Sequence, residues 1–309
     1  MTHLTDRDTI SACFPRNVTH VGKQTIVHGS CLKQIKRLPD ASVDVIITSP
    51  PYNIGIAYRS YDDTMPRKEY LKWLSRLSKQ LSRVLKEDGS FFLNVGSTSS
   101  DPWIALEVAS SFRNDFILQN NIIWTKSISI DEQSFGHFKP INSARYLNNN
   151  YENIFHFSKT GKTIIDRLAV GVPFKDKTNI SRWGHTLDKR CAGNVWHIPY
   201  KTVSSKTQKF NHPASFPEEL PMRCMKLHGG EDLVVLDPFL GSGTTLVAAE
   251  KLGHHGIGFE IDDSYVETSV ARVEGHLEDE KAATYSSKNS TVFKRNQHSA
   301  EDIREGCIR

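Results

Sequence analysis

Short apolar runs alternate with helical stripes along most of the chain. From Ser42 to Thr48 the side chains are largely apolar and β-branched, which predicts a buried strand. Pro66–Lys86 instead carries leucines three or four residues apart, which predicts an amphipathic helix. Pro66 suits the first turn of this helix, and Gly89 suits its end.

The same two patterns predict the remaining elements. Strands are expected at Thr25–His28, Phe91–Val95, Ile122–Thr125, Asn153–Phe157, Leu233–Leu236 and Gly256–Ile261. Helices are expected at Cys31–Leu38, Trp103–Phe112, Phe216–Leu227, Thr244–Leu252 and Ser264–His276. Repeated strand–helix units of this size predict an α/β fold, with a mostly parallel sheet covered by helices on both faces.

The periodicity fades between Lys159 and Lys209. This segment holds eleven Lys and Arg against three Asp and Glu, whereas the whole chain has a net charge of only +4. A basic segment within an otherwise slightly acidic protein indicates an inserted module with a polyanionic partner. A solvated basic surface explains the composition equally well.

Composition excludes several classes of protein. The apolar runs are too short to cross a bilayer, and the N-terminus has no signal-peptide pattern, so we expect a soluble protein with no membrane partner. The five cysteines include no C-x-x-C pair, which argues against a disulfide framework or a zinc module. No metal is expected.

A glycine-rich turn, Leu236–Thr245, follows one predicted strand and opens the next helix. In α/β sheets this is where cofactors bind, and glycines let the backbone approach a ligand closely. The turn matches neither the phosphate-binding P-loop nor G-x-G-x-x-G. With Glu260 at the end of the next strand as a candidate ribose acceptor, the pattern favours a nucleoside cofactor without phosphate. An ordinary turn and a surface glutamate remain an equal alternative.

A second turn, Thr48–Asn53, follows the buried strand. Two prolines fix the backbone and present Ser49 and the Pro50 carbonyl as acceptors, beside the flat ring of Tyr52. Two acceptors and an aromatic surface suit a planar amino group. In isolation, a proline turn with a packed tyrosine is the simpler interpretation.

Together, three motifs resemble those of bacterial amino-methyltransferases that act on DNA. The catalytic motif of that family, in which Asp, Asn or Ser precedes Pro-Pro and an aromatic residue, matches Ser49–Tyr52. Its cofactor motif, D-P-F-x-G-S-G-T-T, matches Asp237–Thr245. His212–Pro217 (HPASFP) is a third match, and the resemblance covers roughly residues 25–280. This order of motifs is similar to the β arrangement of the family.

The resemblance implies a Rossmann-like methyltransferase sheet in circularly permuted order, with an inserted target-recognition region and S-adenosyl-L-methionine as methyl donor. The catalytic residues it implies are Ser49, Pro50, Pro51 and Tyr52. The cofactor-binding residues it implies are Asp237, Pro238, Phe239, Gly241, Ser242, Gly243, Thr244 and Glu260, with His212 and Phe216 bordering the same pocket.

The expected organisation has five parts. They are an N-terminal extension (1–24), a catalytic half (25–158), an inserted target-recognition region (159–210), a cofactor-binding half (211–280) and a polar C-terminal tail (281–309). Within the insert, Arg182, Lys189 and Arg190 are candidate contacts to DNA, where cations neutralise phosphates and a few side chains recognise base edges.

The resemblance also bears on the target base. Members with Ser at the first catalytic position mostly methylate N4 of cytosine, those with Asp mostly N6 of adenine, and HPASFP is similar to the cytosine type. Ser30 departs from the family, where Asp often follows the preceding glycine, which weakens the case for a carboxylate near the target there. Methylation at C5 of cytosine is excluded, because it needs a nucleophilic cysteine after a proline and no cysteine here follows one.

The expected function is therefore N4-cytosine methylation of a flipped-out base in double-stranded DNA. A role beside a restriction endonuclease that shares the site without binding this protein follows only from the family, as does a cytoplasmic, nucleoid-associated location in a bacterium. Alternatives are adenine-N6 methylation, a protein-glutamine or RNA methyltransferase, and a non-catalytic DNA-binding module. Asn in place of Ser49 in protein-glutamine enzymes argues against that alternative.

Overall fold

A computed structural model describes residues 7–53, 60, 63–130, 133–136, 143–182, 184, 186–199 and 216–279. The strands are β1 (Val18–Val21), β2 (Gln24–His28), β3 (Val43–Thr48), β4 (Leu85–Val95), β5 (Ile117–Thr125), β6 (Ser127–Ile130), β7 (Gln133–Gly136), β8 (Tyr151–Ser158), β9 (Val195–His197), β10 (Val234–Asp237) and β11 (His255–Glu260). The helices are α1 (Arg7–Cys13), α2 (Cys31–Gln34), α3 (Arg67–Val84), α4 (Ile104–Ser110), α5 (Thr178–Arg182), α6 (Glu219–His228), α7 (Thr244–Lys251) and α8 (263–279), and a 3₁₀ turn follows α2 at Ile35–Arg37.

Nine strands form one sheet in the order β1-β2-β11-β10-β3-β4-β8-β5-β9. The five strands from β2 to β4 are parallel, while β8 runs antiparallel between β4 and β5. From β3 the chain moves outward to β4, and from β10 it moves outward on the other side to β11. The adjacent pair β3–β10 is thus the point where the strand order reverses, and ligands of such sheets bind there.

Helices cover both faces of this sheet. Alternate residues of β3 point to opposite sides, so Ile46 packs in the core with α3 and α4, while Val45 and Ile47 pack in the core with α6 and α7. The apolar stripe of α3 is buried, as its spacing predicts, and includes Leu74 and Leu77 at 0% exposure. The predicted α/β class with a mostly parallel sheet is confirmed. Among the described residues, no helix is long and apolar enough to cross a membrane.

The predicted boundary between α3 and β4 is wrong. The helix ends at Val84, and Leu85 already has the extended conformation and pairs with Val43. Gly89 lies within the strand rather than at a helix stop: a Cβ there would lie 2.9 Å from the Asp44 carbonyl oxygen. The glycine therefore marks a close approach of two backbones, beside a register shift between Val43 and Val45.

Other predicted elements differ mainly at their ends. β5 begins at Ile117 rather than Ile122, because a long antiparallel ladder with β8 extends it. Helix α6 begins at Glu219 rather than Phe216, and the helix predicted from Cys31 ends in the 3₁₀ turn. These changes follow from tertiary pairing and packing, which overrides local pattern at element ends.

Several elements of the structure were not predicted from the sequence. In the N-terminal extension, Ile10 and Phe14 are buried, and the Phe14 ring lies 5.8 Å from that of Phe259. Within the predicted insert, β9 pairs with β5, and the Trp124 indole donates to the Ile198 carbonyl over 2.8 Å. Part of the basic segment thus contributes to the main sheet. The tail from 280 onward lies outside the described residues.

The buried stripe of α3 supports a stability prediction. Leu77→Ala should lower the free energy of unfolding by about 2–5 kcal/mol, since it removes a fully buried side chain and leaves a cavity. Lys79→Ala, two residues along on the exposed face, should change it by less than about 0.5 kcal/mol. Urea denaturation of both variants checks this, and equal losses would contradict the packing of α3.

Candidate functional site

One cavity opens at the carboxyl ends of β3 and β10, where the strand order reverses. It brings together the two sequence motifs, which are separated by almost 190 positions in the chain. Its lining includes Ser30, Ser49, Pro50, Pro51, Tyr52, Trp73, Phe216, Asp237, Pro238, Phe239, Gly241, Ser242, Thr244, Glu260 and Asp262. The fold thus brings the proline turn and the glycine turn together in the lining of one pocket.

Asp237 connects the proline turn and the glycine turn through hydrogen bonds. Its carboxylate accepts hydrogen bonds from Thr48 Oγ1 at the end of β3 (2.7 Å), from Thr245 Oγ1 in α7 (2.6 Å) and from the Phe239 backbone N–H (3.0 Å). Asp237, Thr48 and Thr245 are all buried. Burial raises the pKa of Asp237 to about 6, against the lowering effect of these hydrogen bonds.

The glycine turn needs its glycines for geometric reasons. Gly241 and Gly243 have φ of 54° and 84°, and a Cβ on Gly243 would lie 2.7 Å from that of Ser269. Arg272 of α8 holds the turn from behind, because its guanidinium donates to the Ser242 carbonyl (2.7 Å) and to Thr244 Oγ1 (2.9 Å). The Thr244 hydroxyl is therefore occupied by the protein itself.

Glu260 closes the next side of the pocket at the end of β11. One carboxylate oxygen accepts the Gly241 N–H (2.7 Å), and the other accepts the N–H groups of Ile261 (2.8 Å) and Asp262 (2.9 Å). Burial raises the pKa of Glu260 although these three bonds favour the charged form. The oxygen that accepts from Gly241 keeps one lone pair for a ligand, whereas the other oxygen already accepts two N–H groups.

The proline turn is held from its outer side. Tyr70 of α3 donates its hydroxyl to the Pro51 carbonyl over 2.5 Å. Asn53, at φ 56°, donates its N–H to Asp63 (2.8 Å) and its side-chain amide to the Met65 carbonyl (2.7 Å). Together with the pyrrolidine rings of Pro50 and Pro51, these contacts fix the direction in which Ser49 and Tyr52 face the cavity.

The Tyr52 hydroxyl is part of a polar network rather than free at the pocket wall. It lies 2.9 Å from Ser49 Oγ and 3.2 Å from Glu152 Oε2, and it accepts from the Asn94 amide over 3.1 Å. Burial and then the negative charge of Glu152 raise the pKa of Tyr52 well above its usual value. From the sequence, Tyr52 was predicted to contribute only a ring surface, and Asn94 of β4 and Glu152 of β8 were not predicted at all.

The charge of the cavity restricts what it can bind. Asp237, Glu260 and Asp262 contribute carboxylates, while no Lys, Arg or His is among the described residues that line it. Trp73 and Phe239, whose ring centres lie 5.5 Å apart, add aromatic surface. Such a lining disfavours phosphate groups and favours a ligand with a positive charge and hydrogen-bond donors.

The remaining predicted site residues lie elsewhere. Phe216 lines the cavity, whereas His212 lies outside the described residues. Arg182 ends α5, Lys189 precedes Arg190, and Arg190 pairs through its backbone with Val172; all three are exposed and none lines the cavity. Where the chain is described, no three His, Cys, Asp or Glu side chains come together as metal ligands.

Trp73, Thr48, Arg272 and Asp262 also belong to this site and were not predicted. Trp73 lies on the helical stripe of α3 and looks like an ordinary amphipathic position. Arg272 lies on α8 and looks like a solvated charge. Thr48 offered the one available signal, since it directly precedes Ser49 at the end of the buried strand.

Comparison with known proteins gives consistent results. A sequence profile of the N6/N4 methyltransferase family, described as DNA methylase, matches residues 43–271, more than half of the chain. The chain is 28% identical to the DNA adenine methyltransferase YhdJ of Escherichia coli K12, an alignment that covers 94% of this chain and 97% of the relative.

Solved structures share the fold. The PvuII DNA methyltransferase, named as cytosine-N4-specific, superposes with a TM-score of 0.61 at 22% identity and covers 81% of this chain and 86% of its own. TTHA0409 of Thermus thermophilus, described as a DNA modification methylase and solved with S-adenosyl-L-methionine, gives 0.56 at 22% identity over 82% and 95%. These matches identify the sheet as the methyltransferase type.

The raised pKa of Asp237 predicts a pH effect on stability. Its native carboxyl binds a proton more tightly than in the unfolded chain, so its contribution to stability falls as pH rises from about 4 to about 6. The Asp237→Asn variant lacks the carboxyl group that binds this proton, so its stability does not change with pH at this position. The unfolding free energy of wild type minus that of the variant should therefore drop by about 2 kcal/mol between pH 4 and pH 7.

Urea denaturation across that pH range measures the difference, with the exposed Asp40→Asn as the matched control for loss of a carboxylate. A difference that rises with pH would mean that the site stabilises the ionised form of Asp237, contrary to the effect of burial.

Proposed function

The chain belongs to the N6/N4 family of DNA methylases, and we propose that it transfers a methyl group from S-adenosyl-L-methionine to N4 of a cytosine in duplex DNA. The observation that carries this proposal is the single cavity shared by the Ser49–Tyr52 turn and the Asp237–Thr244 turn. A donor held by one turn and an amino group held by the other come into contact there, which is what direct transfer needs.

The cavity fits S-adenosyl-L-methionine in charge and shape. Its carboxylates suit a sulfonium cation, and the absence of cations from the described lining suits a nucleoside that carries no phosphate. Glu260 is proposed to accept from the ribose hydroxyls, while the turn from Asp237 to Thr244, with Phe216, borders the rest of the molecule. When bound, the cofactor supplies an activated methyl group; no metal is proposed.

The Ser49–Tyr52 turn is proposed to hold the target base. Ser49 Oγ and the Pro50 carbonyl accept the two hydrogens of the amino group, and the Tyr52 ring stacks on the base, which is worth about 1–3 kcal/mol on comparable platforms. The acceptors draw the nitrogen lone pair out of conjugation, so that it attacks the methyl carbon as the bond from that carbon to sulfur breaks. The nitrogen then loses one proton to water, since Ser49 is a weak base. Since the target is stacked within a duplex, flipping it out costs a few kcal/mol.

N4 of cytosine is preferred to N6 of adenine because Ser49 and the HPASFP segment resemble the cytosine type. The similarity to an E. coli protein named as an adenine methyltransferase favours the second candidate, adenine N6. Either base presents an amino group to the same acceptors. A non-catalytic DNA-binding module is the third outcome, and a protein-glutamine or RNA substrate is a further one.

The basic segment 159–210 is proposed to recognise the DNA target, with Arg182, Lys189 and Arg190 at exposed positions along it. The boundaries 1–24, 25–158, 211–280 and 281–309 are proposed for the remaining parts. A partner restriction endonuclease and a bacterial cytoplasmic location are proposed only from the resemblance to modification enzymes.

The deciding experiment identifies the product. The protein is incubated with mixed-sequence duplex DNA and S-adenosyl-L-methionine, and the DNA is digested to nucleosides for mass spectrometry. N4-methylcytosine supports the proposal. N6-methyladenine would show that the target base is adenine, with the same cofactor and the same transfer to an amino group. If cofactor binds and no base is methylated, the protein is a binding module or acts on RNA or protein, which the same assay then tests.

Ser49→Ala removes one proposed acceptor. We expect kcat on DNA to fall by about 10- to 100-fold, the value of a hydrogen bond made in the transition state, while the Kd for S-adenosyl-L-methionine stays unchanged. Ser75→Ala on α3 is the matched control, since its hydroxyl bonds only within and beside that helix. Wild-type kcat in Ser49→Ala would remove Ser49 from the mechanism.

DNA binding by the basic segment predicts a steep dependence on salt. The logarithm of the affinity should fall linearly with the logarithm of salt concentration, with a slope of about −0.9 for each phosphate neutralised. Replacing Lys189 and Arg190 by Ala should make this slope shallower by about 1 for each phosphate that the variant no longer neutralises. Lys226→Ala, in the last turn of α6 before the amino end of β10, serves as control and should leave it unchanged. If the slope is unaltered in both variants, Lys189 and Arg190 do not contact DNA phosphates.

A further inference from the structure

Five polar side chains from four separate parts of the chain form one network that includes the Tyr52 hydroxyl: Ser49, Tyr52, Asn94, Lys126 and Glu152. Besides its contacts with Ser49 and Tyr52, the network contains the Asn94 side-chain amide, which donates to Glu152 Oε2 over 2.7 Å. Lys126 forms an ion pair with the other oxygen, Glu152 Oε1. The Glu152 side chain is only 12% exposed, so the protein rather than water satisfies most of its bonding capacity.

The directions of these hydrogen bonds follow from the groups available. Two groups can accept the single hydrogen of the Tyr52 hydroxyl: Glu152 Oε2 at 3.2 Å and the Asn94 backbone carbonyl at 3.4 Å. The carboxylate is the closer and stronger acceptor, and it can only accept, so we assign the hydrogen to Glu152. The Tyr52 oxygen then has two lone pairs, one of which accepts the Asn94 amide. The other accepts from the hydroxyl of Ser49, 2.9 Å away, and the Gly96 backbone N–H is a further donor to the same oxygen. The opposite direction would place the Tyr52 lone pairs against the carboxylate with no hydrogen between them.

This order decides what Ser49 presents to the cavity. Because its hydrogen is directed at Tyr52, its remaining lone pairs are free to accept from a ligand. We propose that Glu152 is a positioning residue that, through Tyr52, orients the Ser49 hydroxyl as an acceptor for the amino hydrogens of the target base. This inference rests on the proposed function and extends it, since it specifies a substrate group that donates hydrogen bonds.

The surroundings of Glu152 are built for this task. Lys126, between β5 and β6, and Asn94 of β4 bind its two oxygens, so the carboxylate cannot rotate without breaking one of these interactions. Gly96 provides the space, since a Cβ there would lie 2.9 Å from Glu152 Oε1. A carboxylate fixed at both oxygens keeps one acceptor aimed at Tyr52.

Glu152→Gln should reverse the order while keeping the shape. The amide has one oxygen, which the charged Lys126 ammonium takes, so its NH₂ group faces Tyr52. The Tyr52 hydrogen then turns to Ser49, and the Ser49 hydrogen points at the amino group it should accept from. Glu152→Asp keeps an acceptor-only group and should recover part of the lost activity.

The test is a double-mutant cycle of Tyr52→Phe and Glu152→Gln, measured by single-turnover methylation of duplex DNA. Each single variant should lose about 10- to 100-fold in the rate of methyl transfer, with unchanged Kd for S-adenosyl-L-methionine. If Glu152 acts through Tyr52, the double variant should be no slower than Tyr52→Phe alone. Losses that multiply, or full activity in either single variant, would overturn the proposal.

Glu87→Gln is the matched control, because it makes the same change on β4 at the exposed end remote from Asn94. Its carboxylate is 77% exposed and lies 3.9 Å from Lys159. Activity and thermal stability should equal those of the wild type. A loss of stability in Glu152→Gln that accounts for its loss of activity would assign Glu152 a structural role only.

A measurement without catalysis separates this inference from the proposed function. In protein labelled at tyrosine Cζ, the NMR signal of Tyr52, assigned from Tyr52→Phe, should shift in Glu152→Gln and not in Glu87→Gln. An unmoved signal overturns the inference even in an active enzyme. If the signal shifts in Glu152→Gln but the wild-type protein methylates no DNA, the hydrogen-bond order stands and the proposed function is overturned.

Discussion

The hydrogen bonds that Asp237 accepts from Thr48 and Thr245 hold the site together. Thr48 ends the strand that leads into the proline turn, and Thr245 lies in the helix that leaves the glycine turn. A buried carboxylate needs partners, because an uncompensated charge in the core is costly. Satisfying Asp237 therefore fixes the distance between the two turns, and every other feature of the cavity depends on that distance.

The polar groups of the site fall into three sets by location. Asp237 lies at the base, Glu260 and Arg272 bind the backbone of the glycine turn, and Glu152 binds behind the proline turn. Each is occupied mainly by protein donors or acceptors, so it is held in place before any ligand arrives. Preorganisation of this kind means that little reorganisation accompanies ligand binding, because the polar groups already point where they are needed.

The division of charge fits two different ligands. The cavity is lined by carboxylates, while the basic residues of the chain concentrate in the segment from 159 to 209. A cationic cofactor and a polyanionic DNA would thus be attracted to different parts of one protein. Within that segment, strand β9 pairs with β5, so the proposed recognition region is anchored to the sheet that carries Glu152 and Asn94.

The sequence by itself determined the α/β class, the strands β3 and β10 and both turns, because buried β-branched runs, paired prolines and clustered glycines constrain the local backbone strongly. It did not determine where α3 ends, how far β5 extends or that β9 joins the sheet, since pairing with distant strands decides these points. Nor did it indicate Asn94, Glu152 or Arg272. Each is an ordinary polar residue in the chain, and only the packing of separate strands and helices brings it within hydrogen-bond distance of Tyr52 or the glycine turn.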